Sequence, residues 1–188
     1  MPLSLKETIL PALVRRCVAW PHQALQLILV SSVAVFTKPI THSGIRLIAS
    51  ATERLDSLRR VGQALDLIER HDLRRFMRVQ RSIKRVFLAP WKPLGVYYPI
   101  GRVCGVRDLS TAEPRNGSVV VLAYAYILIH GATQARFHRG MVAYTEANRV
   151  RAYRVCHIEG TYFLRHFPQL APQVCQMLFR CSGAVSTT

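Results

Sequence analysis

The chain has 188 residues, enough for one domain with a buried core, and half of them are apolar, which excludes wholesale disorder. Lys and Arg number 26 against 10 Asp and Glu, so the formal charge is +16 and polyanions such as nucleic acid or an acidic membrane surface are the natural attractants. Five cysteines (Cys17, Cys104, Cys156, Cys175 and Cys181) make an odd count with no CxxC pair. That excludes a disulfide framework or a zinc ribbon and makes a reducing cytoplasm the default compartment.

Residues 4–36 read as helix-rich, cut into short pieces by Pro11 and Pro21. The uninterrupted apolar part, 27–36, is about half of the roughly 20 residues needed to cross a bilayer. A buried or interfacial helix is expected instead, and an N-terminus pegged to an anionic membrane is the alternative to a freely cytoplasmic protein. The stretch 37–44, Thr-Lys-Pro-Ile-Thr-His-Ser-Gly, carries loop chemistry and is the candidate linker closing an N-terminal extension, 1–44.

A long amphipathic helix is expected next, because Leu47, Ala51, Leu55, Leu58, Val61, Leu65 and Ile68 recur at helical spacing. A basic helix follows over 72–83, with Asp72 suited to its N-terminus. Arginines stud this region from 54 to 85. They offer a grip on nucleic-acid phosphates or anionic lipid, although a solvated helix face explains the same spacing.

The pattern then changes period. Residues 85–88, 95–98 and 102–106 are short apolar runs punctuated by Pro90, Pro93, Pro99 and Gly101, consistent with two or three antiparallel strands. A polar loop spans 108–117. The dense apolar run after Ser118 is expected to be a helix over 121–139, capped by Gly140. A last helix runs over 145–166, with Val150, Tyr153, Val155, Ile158, Tyr162 and Phe163 as its buried positions and Pro168 as its stop. Residues 169–188 form a C-terminal tail, frayed from 182 onward. The expected class is α+β: a small antiparallel sheet packed against the 121–139 helix and a following helix, with a helical N-terminal half.

Catalytic chemistry centres on 128–136, Leu-Ile-His-Gly-Ala-Thr-Gln-Ala-Arg. Zinc peptidases carry HExxH on one helix, where two His face the metal from adjacent turns and the Glu activates the bound water. The segment resembles the L-[VI]-H-E-A-T-H-A-R stretch of a group of small bacterial proteins with a zincin-like fold. The resemblance extends upstream through Arg85-Val86-Phe87-Leu88-Ala89-Pro90 and Gly95–Val106, and downstream through Arg139-Gly140 and Arg149–Cys156. It covers about residues 55–168 and implies a zincin-like domain over 45–168.

The departures fall on the working positions. His130 stands where the first ligand belongs, but Gly131 replaces the general-base Glu and Gln134 the second His. Loss of a general base alone costs about 10²–10⁴ in rate. The family's third ligand, a Glu on the next helix, corresponds best to Glu159, which reads equally well as an Arg-paired surface residue. His130 and Glu159 are thus vestigial metal positions, with His157 a further donor in the same region. His138 lies on the same helical face as His130 but two turns away. The expected protein is a degenerate, pseudoenzyme zincin-like scaffold with no catalytic residues and no cofactor. Zinc is the alternative cofactor, a basic peripheral binder of membrane or nucleic acid the alternative function, and a hydrolase with a rebuilt site the third.

Overall fold

The computed structural model describes residues 39–49, 55–89, 94–109, 116–139 and 146–181. The helical pieces expected over 4–36 lie outside the described residues. In chain order the elements are β1 (Ile40–His42), β2 (Ile45–Ala49), α1 (Leu55–His71), α2 (Leu73–Ser82), β3 (Arg85–Ala89), β4 (Gly95–Tyr98), a single 3₁₀ turn (Ile100–Arg102), β5 (Val103–Arg107), α3 (Gly117–Arg139), α4 (Glu146–Leu164) and α5 (Ala171–Cys181). The class is α+β, with the sheet packed against helices.

The five strands lie in the order β1-β2-β3-β5-β4. β1 and β2 form an antiparallel hairpin, β2 pairs parallel with β3, β3 parallel with β5, and β4 antiparallel with β5 at the far edge. The three strands expected from 85–106 are present, but the sheet is mixed and larger than expected. The short β3–β4 connection carries the chain past the position beside β3 to the edge, and β5 returns into the gap. Local punctuation marks where strands end and does not reveal such a skip.

The candidate linker 37–44 is the other correction. Ser43 (φ 48°) and Gly44 (φ 75°) make the tight turn of the β1–β2 hairpin, whose two left-handed residues match the strand twist. Leu47 therefore sits on a strand, and Leu55, expected on the apolar face, opens α1 exposed, so the buried stripe begins at Leu58. Ile45 and Leu47 are buried against the helices. On the opposite face Ile48, Phe87, Ala89, Tyr98 and Val103 form a second buried apolar cluster.

Leu58, Val61, Leu65 and Ile68 of α1 and Phe76 and Val79 of α2 are buried at the expected spacing. Asp72 caps α2 by accepting from the Arg75 backbone N–H at 2.9 Å. α3 begins at Gly117, with the Asn116 side chain accepting from the Ser118 N–H. By length and composition 117–137 could cross a membrane, but 78% of its apolar window is buried inside the fold. It is the core helix, in contact with α1, α2, α4, α5 and the β4–β5 edge.

α4 buries Phe163 as expected but otherwise turns a different stripe inward. Val150, Tyr153, Ile158 and Tyr162 are exposed, whereas Cys156, Gly160, Phe163 and Leu164 are buried. Small residues at 156 and 160 let α4 approach α3 closely. A Cβ on Gly160 would lie 2.4 Å from the Tyr126 ring. α5 is no loose tail, because Val174, Met177, Leu178 and Cys181 are buried in the main core. Only 182–188 of that segment lies outside the described residues. The described cysteines are free thiols.

Candidate functional site

The motif residues lie on α3, and a helix turns about 100° per residue, so His130 and Gly131 face different neighbours. His130 points towards α4. Its half-buried ring stacks near Tyr126, one turn back, at 6.3 Å between centroids, and meets the Tyr153 ring edge-on at 5.2 Å. Burial in this aromatic seam, with His157 nearby, pushes its pKa down to about 4. The imidazole is therefore neutral across the physiological range.

Gly131 faces the sheet. It is buried, and a Cβ there would lie 2.8 Å from the Cys104 Sγ of β5 and 3.9 Å from Ile83 Cδ1. The thiol thus stands on the path that a side chain at 131 would take. Cys104 is completely buried, which raises its pKa to about 12 and keeps it from acting as a thiolate. Gln134, one turn beyond His130, is half-buried.

Glu159 looks away from this seam. Its Oε2 accepts from Arg75 Nε at 3.0 Å and lies 3.0 Å from Arg78 Nη1. The Arg78 contact is an ion pair without an aligned hydrogen bond, which leaves that buried nitrogen without a hydrogen-bond partner. Arg75 also pairs with Asp72, so α2 and α4 are tied by a four-member charge network. Burial opposes ionisation of Asp72, but the Arg75 backbone N–H, its guanidinium and His166 outweigh it and hold the carboxyl below its ordinary range.

His157 reaches the seam that Glu159 does not. Its Nδ1 lies 2.5 Å from the Tyr126 hydroxyl, and its ring meets the Tyr126 ring edge-on at 6.1 Å. Residues two apart on a helix project to different sides, which is why His157 faces α3 while Glu159 faces α2. Of the three donors considered for zinc, the structure brings His130 and His157 to one tyrosine and commits Glu159 to two arginines. Among the described residues no three His, Cys, Asp or Glu side chains are grouped to hold a metal ion. Zinc normally takes at least three protein ligands. The described residues bring together fewer than that here. The His138 side chain is outside the described residues.

The sequence does not reveal that Tyr126 meets His157, that Cys104 abuts Gly131, or that Gly160 lies against the Tyr126 ring. The burial of Tyr126, and then Cys175, Tyr153 and Cys156 nearby, raise its hydroxyl pKa and keep it protonated against His157. The four-residue spacing of the small residues Ala152, Cys156 and Gly160 was the available signal for the close helix crossing.

No protein-family model, curated protein or solved structure matches the chain.

Proposed function

We propose that the chain is a catalytically inactive zincin-like protein, a metallopeptidase-like scaffold without a resident cofactor. The supporting observation is position 131, where a glycine lies against the Cys104 thiol, so that this position itself offers no carboxylate to a water beside His130. A general base must come within hydrogen-bond reach of the proton it takes. The Glu159 carboxylate points the same way, because two arginines occupy it. The reading places the protein in the cytoplasm, with peripheral attachment through the apolar 27–36 segment as the alternative.

The test compares hydrolysis of a fluorogenic peptide library by the purified chain and by the Gly131→Glu, Gln134→His double variant. No turnover above buffer by the unmodified chain supports the reading. Zinc-dependent turnover by the unmodified chain, abolished in His130→Ala, overturns it.

A second reading, a basic protein that binds anionic membrane or nucleic acid, is favoured by the distribution of charge. Several arginines of the 54–85 helices are neutralised: Arg59 by Asp56, Arg75 by Asp72 and Glu159, and Arg78 by Glu159. Among the described residues no ion pair reaches Arg46 of β2 or Arg85 of β3, and binding through them is compatible with a silent catalytic motif.

A further inference from the structure

We infer that the rim formed by the starts of β2, β3 and β5 docks the phosphate backbone of a nucleic-acid duplex; this supplies the partner for the second reading above and rests on it. Four cations meet there: Arg46, Lys84, Arg85 and Arg102. The backbone locks them side by side, since the Arg46 N–H donates to the Lys84 carbonyl at 3.0 Å and the Lys84 N–H to the Arg102 carbonyl at 2.9 Å. Arg46 and Arg85 are register partners on parallel strands, so both side chains leave the same face of the sheet.

This arrangement is unfavourable in the free protein. Like charges directly opposite each other on neighbouring strands repel. Arg102 also holds a left-handed backbone (φ 51°), following Gly101 at φ 75°, and its guanidinium donates to the Arg81 carbonyl, at 3.4 Å. Among the described residues, no ion pair reaches any of the four. Asp56, Asp66, Asp72 and Glu159 are engaged elsewhere, and Asp108 accepts from the Ser57 hydroxyl. A row of cations held in place without carboxylates is complementary to an external anion.

The geometry selects the kind of anion. Arg46, Lys84 and Arg102 are exposed and Arg85 half-buried, so the rim is a surface ridge and not a pocket for one small ion. It spans two strand spacings, about 10 Å. Duplex DNA presents one phosphate charge per about 1.7 Å of axis, so this length faces about six charges. Tyr97 and Tyr98 are buried, which leaves no stacking platform on β4 for the bases of a single strand. Among the described residues the large exposed apolar side chains lie on β1, α1, α2, α4 and α5, and not on these strand starts. A lipid surface holds a few cations weakly without such an anchor.

The experiment measures binding of the full chain to a fluorescent DNA duplex of about 20 base pairs across a salt series. It is repeated with Arg46→Gln/Lys84→Gln/Arg85→Gln/Arg102→Gln and with a control of equal charge, Arg70→Gln/Arg74→Gln/Arg151→Gln/Arg154→Gln, both checked by thermal melting. The rim variant should lose at least about 100-fold in affinity at 0.1 M salt and flatten the log–log salt slope by about 3.6, each of the four lost phosphate contacts removing about 0.9. The control should lose much less. Equal losses in both variants overturn the rim while leaving the second reading intact. No duplex binding at low salt, or binding confined to phosphatidylserine vesicles, overturns the nucleic-acid partner. Should the quadruple variant melt early, the single Arg46→Gln and Lys84→Gln variants carry the test, each expected to flatten the slope by about 0.9.

Discussion

Replacing Gly131 with alanine tests whether α3 is pressed onto β5 where a catalytic side chain would project. In an ordinary helix interior this change stabilises by about 1 kcal/mol, because glycine loses more backbone entropy. Here the new Cβ would lie 2.8 Å from Cys104 Sγ. Cys104 is completely buried, so its thiol can turn aside only into packed neighbours. Overpacking of this kind costs about 1–3 kcal/mol, and the net effect should be destabilisation by up to about 2 kcal/mol. Cys104→Ala removes the obstructing sulfur at its own cavity cost. In that background Gly131→Ala should become stabilising, giving a coupling energy of about 1–3 kcal/mol. Urea denaturation of the four proteins in the cycle measures it. If Gly131→Ala stabilises equally in both backgrounds, the thiol does not occupy the path of a side chain at 131 and the structural reason for an absent general base fails.

Other consequences are equally direct. The low pKa of His130 means that the unfolded chain binds a proton between about pH 6.5 and 4 that the folded chain refuses. Stability should be complete above pH 6.5 and fall by on the order of 3 kcal/mol as pH drops to 4, and His130→Leu should flatten that slope in urea melts at successive pH values. Gly160→Ala would drive a Cβ to 2.4 Å from the Tyr126 ring. It should destabilise by about 1–3 kcal/mol or more, and should perturb the near-ultraviolet circular dichroism of the tyrosines. Glu159→Gln leaves Arg75 and Arg78 largely buried with one carboxylate fewer, so a loss of about 1–3 kcal/mol is expected. A metal ligand at 159 would instead announce itself through a change in bound zinc.

Much of the fold was legible because breakers bracket its elements. Prolines and glycines delimit β3, β4 and β5, and the α1 stripe from Leu58 to Ile68 fixes a buried face. Strand order was not legible, because the parallel β3–β5 pairing is a non-local choice that the short β4 connection conceals. The β1–β2 hairpin was hidden by its polarity: Thr41, His42 and Ser43 look like linker, and only the two left-handed residues of the turn betray it. On α4 the large apolar residues drew attention away from the small ones. Tyr153 and Tyr162 stay largely exposed because the close packing on α3 is made by Cys156 and Gly160. The departures from HExxH at Gly131 and Gln134 are visible in the sequence itself. That Glu159 serves the arginines of α2 could be posed from sequence only as one of two options, since the choice depends on where α2 lies.

The proposal that His130 holds no zinc is checked by elemental analysis of the full chain purified from zinc-supplemented medium, beside its His130→Ala variant. The same trace zinc is expected in both. One zinc per chain, lost in the variant, would contradict it.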